Sequence, residues 1–106
     1  MNKIYAYDYD HEDGKLSNRR TFVDAAGLGF PDQSFCDGLC VDDAGGVWSA
    51  RWAGCFLIPA DADGRWGGSR IVRFSAGGTV DSEILFPSAL NVTACCFGGQ
   101  CATRLL

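Results

Sequence analysis

A carboxylate beside a glycine is the first feature of this sequence that could do chemistry. Asp37 precedes Gly38 and the apolar run at 39–41. An Asp before a Gly at the start of a strand usually caps a turn, because its short side chain accepts hydrogen bonds from nearby backbone N–H groups. The same carboxylate can bind a hard cation such as Ca²⁺ or Mg²⁺. Spacing alone therefore favours a turn residue at Asp37, with a metal ligand as the alternative.

Two further carboxylates, a tryptophan and the single histidine have structural explanations. Asp42 and Asp43 precede the paired glycines at 45–46, which predicts a hairpin turn. Trp48 lies at an alternating strand position and is predicted to fill the core rather than bind a substrate. His11 lies in a polar hairpin tip, so a Ser-His-Asp arrangement would need an Asp and a nucleophile to converge on that loop.

Six cysteines could bind zinc or form disulfides, but their spacing favours neither. There are no paired C-x₂-C motifs and no histidine cluster to complete a tetrahedral site. In a cytosolic chain, thiols stay reduced and usually pack as small hydrophobic groups. Buried free thiols are therefore predicted at Cys36, Cys40, Cys55, Cys95, Cys96 and Cys101.

The composition is that of one ordinary globular domain. The chain has 106 residues, 47% of them hydrophobic, and a net charge of −4. An acidic protein has the wrong sign to bind phosphate backbones or anionic membranes, so neither is an expected partner. No apolar run approaches the ~20 residues of a membrane span, and the first residues lack an apolar signal-peptide core. These features predict a cytoplasmic protein.

The elements that must position these residues are β-strands. Fourteen glycines and apolar residues that recur with period two predict an all-β fold. Three hairpins are predicted, from strand pairs at 4–10 with 18–24, 38–42 with 47–52, and 70–75 with 79–86. A last apolar run covers 91–97.

A faint internal repeat suggests how these strands are organised. Residues 37–41 and 93–97 both read polar, small, then three apolar residues. Four antiparallel strands within ~40–50 residues are typical of a propeller blade. The chain is thus predicted to be a single partial β-propeller domain, with the loop 59–69 as an insertion. It would contain the outer strands of one blade at 1–24, a complete blade at 37–86 and inner strands of the next blade at 91–106.

Several strings carry a resemblance to a known family. They are, in chain order, Ala6-Tyr7-Asp8-Tyr9-Asp10, the string G-K-L-S-N-R-R at 14–20, D-G-L-C-V-D at 37–42, G-G-V-W at 45–48 and C-C-F-G-G at 95–99. On the basis of these strings, the sequence resembles the regucalcin, gluconolactonase and luciferin-regenerating-enzyme family. The resemblance covers about the C-terminal third of the family domain. The resemblance implies about two four-stranded antiparallel blades, part of a six-bladed β-propeller.

The resemblance also implies a chemistry. Members of the family hydrolyse sugar-type lactones with one divalent metal, held by a Glu, an Asn and the Asp of the D-G motif, which here is Asp37. Oxygen ligands suit hard cations, and such an ion can polarise a carbonyl and acidify a bound water. Asp37 is thus expected to be both metal ligand and catalytic residue, with calcium, magnesium, manganese or zinc as the ion.

This sequence departs from the family in its ligands. The family's Glu and Asn metal ligands, and its Arg and Asn that contact the substrate, belong to earlier blades that this chain does not contain. Whether the chain is an active lactonase is therefore left open. One hypothesis is a homo-oligomer, a trimer above all, in which three chains make six blades and share a site for a small lactone. The alternative is a non-catalytic oligomerising or ligand-binding β module derived from the family. A sandwich or a domain-swapped dimer is a third possibility.

Overall fold

The structure is a computed structural model that describes residues 2–30, 34–52, 69–86, 88–89 and 91–106. Within these ranges the chain forms antiparallel strands and one short 3₁₀ turn at Gln100–Ala102. The strands are β1 (Lys3–Asp10), β2 (Lys15–Asp24), β3 (Phe35–Val41), β4 (Val47–Trp52), β5 (Ser69–Phe74), β6 (Val80–Phe86), β7 (Phe97–Gly98) and β8 (Arg104–Leu105). The predicted all-β fold is confirmed.

The first hairpin is formed by β1 and β2. Its tip turns because Asp10 accepts hydrogen bonds from the N–H groups of Glu12 and Asp13, at 3.0 and 3.2 Å. Gly14 completes the turn with a φ of 66°, which glycine adopts without steric cost. His11 is exposed in this tip, as its polar surroundings predict.

The central sheet has the strand order β3-β4-β5-β6, in which each strand pairs with its neighbour in the chain. The turns 42–46 and 75–79 join β3 to β4 and β5 to β6. The connection between β4 and β5, with Cys55 and residues 59–68 of the predicted loop, lies outside the described residues. Ser69, the last residue of the predicted loop, is the first residue of β5. This meander matches the strand arrangement of a propeller blade.

The core lies where the first hairpin and the segment after it meet the inner strands of the central sheet. The packed residues are Ile4, Val23, Ala25, Phe30, Val47, Val72 and Phe74. The rings of Phe30 and Phe74 are 6.1 Å apart at their centroids, so the segment after β2 is anchored on β5. Central strands are buried on both faces, whereas most residues of β6 are exposed.

The last apolar run differs from the sequence-based expectation. A strand is present only at β7, which pairs with β8, and 91–96 has no regular ladder. Instead the N–H of Gly38 donates to the carbonyl of Thr93 at 2.7 Å, and Cys96 and Leu106 exchange two backbone bonds. These isolated bonds hold the segment in place without building a continuous strand. The described ranges contain no helix that is long and apolar enough to cross a membrane.

Candidate functional site

Asp37 lies at an irregularity of the edge strand β3. The register pairs Cys36 with Arg51 and Leu39 with Ser49, so Asp37 and Gly38 together oppose one residue of β4. Two residues against one is the arrangement of a β-bulge, which bends a strand and changes the direction of its side chains. The Asp37 side chain is exposed. The bulge therefore turns an accessible carboxylate out of the regular ladder.

Gly38 is required at this bulge because another part of the backbone lies against it. A Cβ added to Gly38 would stand 2.6 Å from the carbonyl oxygen of Thr93 and 2.9 Å from the Cα of Ala94. Neither atom belongs to a flexible side chain that could move aside. The D-G pair thus combines an exposed carboxylate with a close approach of two backbone segments that only glycine permits.

The donor chemistry of Asp37 fits a hard divalent ion, but Asp37 supplies only one of the several oxygen ligands that such an ion takes. In the described ranges no three His, Cys, Asp or Glu side chains come together as a possible metal site. A site at Asp37 built from these four side-chain types would therefore need ligands from outside the described residues. The assignment of Asp37 as metal ligand and catalytic residue stays a prediction.

A buried arginine on β4 forms hydrogen bonds to residues at the start of β3. Arg51 on β4 is 1% exposed, and its Nε and Nη2 donate to the hydroxyl of Ser34 at 3.2 and 3.0 Å. Its Nη2 also donates to the carbonyl of Ser34 and to the Asn2 side chain, and its Nη1 donates to the sulfur of Cys36 at 2.6 Å. The guanidinium lies over the ring of Phe30 at 4.6 Å. The Cys36 contact fixes the residue directly before Asp37.

Burial is the main reason that the pKa of Arg51 is lowered from its usual value. Arg70, the partner of Arg51 in the register with β5, also lowers it. Arg70 is itself buried and bonds to Glu83 at 3.2 Å. Sequence reasoning missed this pair of buried arginines. Their signal was an arginine within each of two predicted apolar strands, Arg51 in 47–52 and Arg70 in 70–75, although Arg73 stands in the second strand as well.

The turn after β3 is held by Asp42, as the sequence predicts. One carboxylate oxygen accepts bonds from the N–H groups of Ala44 and Gly46, at 3.0 and 2.8 Å. The other accepts from the indole N–H of Trp48 and from Nε of Arg73, at 2.9 and 2.8 Å. These bonds, that from Arg73 first, hold the pKa of Asp42 well below its usual range. Asp42 is thus a structural residue of the turn.

Trp48 is half-buried, and its role is structural too. Its ring meets that of Phe97 edge to face, with centroids 5.9 Å apart. This contact joins the central sheet to the C-terminal segment.

The prediction of buried thiols is right for only part of the cysteines. Cys95 is buried, Cys36 and Cys40 are half-buried, and Cys96 and Cys101 are exposed, all as free thiols. Cys96 lies in the run 91–96, which forms no regular strand, and Cys101 lies in the 3₁₀ turn at Gln100–Ala102. Cys55 is outside the described residues.

Comparison with known proteins gives the family of the chain. The family model "SMP-30/Gluconolactonase/LRE-like region" matches residues 1–106. Pentonolactonase XacC of Haloferax volcanii is 45% identical over 62 residues, which are 58% of this chain and 20% of that protein. Regucalcin of Danio rerio is 32% identical over 97 residues, 92% of this chain and 27% of that protein. The chain thus spans at most about a quarter of the length of these relatives.

A solved structure gives the fold. A luciferin-regenerating enzyme superposes with a TM-score of 0.69 at 24% identity, over 92% of this chain and 27% of that one. The antiparallel sheets therefore have the arrangement of a β-propeller, as predicted, and not that of a sandwich. Because the family model matches all 106 residues of this chain, the chain belongs to the SMP-30/Gluconolactonase/LRE-like family.

Proposed function

We propose that this chain carries the Asp37 part of a metal-dependent lactonase that acts on sugar-type lactones. The observation that carries the proposal is an exposed carboxylate turned out of β3 by a bulge, within a chain of the gluconolactonase family. The relative with 45% identity is a pentonolactonase, which supports a five-carbon sugar lactone as the first substrate to test.

In this proposal Asp37 is the ligand that β3 contributes to a calcium, magnesium, manganese or zinc ion. Such an ion supplies a Lewis acid that polarises the lactone carbonyl and lowers the pKa of a bound water. The share of Asp37 is to hold the ion and orient the water, because its carboxylate is exposed and has a second oxygen free to accept a proton or a hydrogen bond. The buried Arg51 keeps the preceding residue in place.

The remaining ligands come from another part of a closed ring. We propose that three copies of the chain assemble into six blades, so that the site is shared. Among the described strands, β3 and β6 each pair on one side only, and such open edges favour assembly. Leu39 and Val41 on β3, and Ile84 and Leu85 on β6, are apolar and at least 36% exposed.

A cytoplasmic location completes the proposal. Fractionation of the producing cells tests it, and recovery outside the cytoplasm would contradict it.

The activity test uses the full chain with a pentono-lactone and each of the four ions in turn. We expect hydrolysis with at least one ion and loss of that hydrolysis on chelation. In Asp37→Ala the rate of hydrolysis should fall by about 100-fold or more. Asp43→Ala is the matched control, because Asp43 is an exposed carboxylate in a turn of the same hairpin and should leave the rate unchanged. A chain that is folded but inactive with every ion would favour a non-catalytic ligand-binding or oligomerising module.

A further inference from the structure

Two cysteines far apart in sequence have their sulfur atoms side by side. The Sγ atoms of Cys40 and Cys95 are 3.7 Å apart, although 55 residues separate them along the chain. A disulfide bond is ~2.05 Å long, so the sulfurs need to approach by about 1.7 Å. Cys40 is half-buried on β3, and Cys95 is buried in the segment 91–96.

The two backbones that carry these thiols are already fixed against each other. The Gly38 N–H bonds to the Thr93 carbonyl at 2.7 Å, two residues before each cysteine. The thiol of Cys95 donates to the carbonyl of Trp48 at 3.3 Å, which holds it over the β3–β4 pair. Because the main chains are in contact, rotation of the side chains can bring the sulfurs together without a large movement of either segment.

We propose that Cys40 and Cys95 are a redox modification site, forming a reversible disulfide that locks β3 to the C-terminal segment. This inference is independent of the proposed lactonase activity, since it concerns the described thiols alone. The oxidant is a low-molecular-weight disulfide such as glutathione disulfide. The lock would act on the strand that bears Asp37, three positions before Cys40.

The exchange takes place in two balanced steps. The thiolate of Cys40, the more exposed partner, attacks one sulfur of glutathione disulfide, and one glutathione thiolate leaves. The sulfur of Cys95 then attacks Cys40 in this mixed disulfide, forms the protein disulfide and expels the second glutathione. Each protein sulfur is oxidised by one electron, and the two protons leave with two molecules of reduced glutathione.

The order of the steps follows from the surroundings of the two thiols. Burial, with the neighbouring Cys40 as a smaller cause, raises the pKa of Cys95 to about 11. Cys95 is therefore protonated in the reduced protein and a poor first nucleophile. It becomes the resolving thiol once Cys40 carries the glutathione group beside it.

The test is a disulfide map of the oxidised chain. The protein is incubated with glutathione disulfide at pH 8, free thiols are alkylated, and chymotryptic peptides are analysed by fragmentation mass spectrometry. We expect one intramolecular crosslink between Cys40 and Cys95, reversed by dithiothreitol. Recovery of both residues as alkylated thiols or as separate glutathione adducts would overturn the proposal. A crosslink through Cys96 or Cys101, or between two chains, would overturn it as well.

A second measurement tests the lock. Closing a loop of 55 residues restricts the unfolded chain, so oxidation should raise the melting temperature by roughly 10 °C. Cys40→Ser should lose both the crosslink and this rise. Cys101→Ser, which removes an exposed thiol elsewhere, should keep both. An oxidised protein that carries the crosslink but melts as the reduced one does would refute the locking role.

Discussion

At the scale of single residues, the hairpin turn after β3 depends on one carboxylate. Asp42 accepts four hydrogen bonds, two from turn N–H groups and one each from Trp48 and Arg73. Arg73 also bonds to Asp81 of β6 at 2.6 Å, so this cluster links β3, β4, β5 and β6. A carboxylate with this many donors is strongly favoured in its ionised form.

Asp42 should therefore make stability depend on pH. Its pKa is lowered in the folded chain, so its contribution is complete above the unfolded value of about 3.9 and is lost as the pH falls towards the folded value. We expect Asp42→Asn to lower the melting temperature by about 5 °C at pH 7, and this difference to shrink below pH 4. Thermal unfolding followed by circular dichroism at pH 7 and pH 3 measures both.

Asp43→Asn is the control. Because Asp43 is exposed in the same turn, this variant should have the melting temperature of the wild type at both pH values. An equal effect of Asp42→Asn at pH 7 and pH 3 would show that the charge of Asp42 is not what stabilises the turn.

At the scale of elements, β3 and the C-terminal segment meet through their backbones at Gly38, as well as through the side chains of Cys40 and Cys95. Gly38 lets the carbonyl of Thr93 approach its N–H to 2.7 Å. A methyl group at position 38 would overlap the Thr93 oxygen and the Ala94 backbone. The bulge and the segment 91–96 are therefore one packed unit.

We expect Gly38→Ala to destabilise the chain by about 1–3 kcal/mol, the usual effect of forcing extra volume into a packed contact. Urea unfolding measures the change. Gly77→Ala is the matched control, because its added methyl would have only the flexible Ser75 side chain near it, at 3.7 Å. If the two variants unfold at the same urea concentration, the close approach at Gly38 does not exist in solution.

The same elements show what a sequence can and cannot predict. Period-two patterns and glycine turns predict β1 to β6, because each hairpin forms between neighbours in the chain. The run 91–97 has an equally apolar pattern, but its partners are a bulge in β3 and the chain end. The buried Arg51 was missed for a similar reason, since its partners Asn2, Ser34 and Cys36 come from distant positions. Local pattern carries no information about such partners.

At the scale of the whole molecule, the proposed trimer makes a prediction about mass and ions. Three chains of 11.4 kDa give about 34 kDa, which light scattering after gel filtration can distinguish from a monomer. A threefold axis would bring three Asp37 carboxylates towards one channel. Like charges so close repel each other unless a cation or protons neutralise them.

A divalent ion should therefore favour the trimer, and chelation should shift it towards monomers. Asp37→Asn removes the repulsion, so we expect this variant to remain at about 34 kDa with or without the ion, three times the chain mass. Asp43→Asn removes an exposed carboxylate from the turn after β3 instead, and it should keep the ion dependence of the wild type. A mass of 11.4 kDa at micromolar concentration in every condition would contradict the trimer. The ligands missing from the described residues would then have to come from blades outside this sequence.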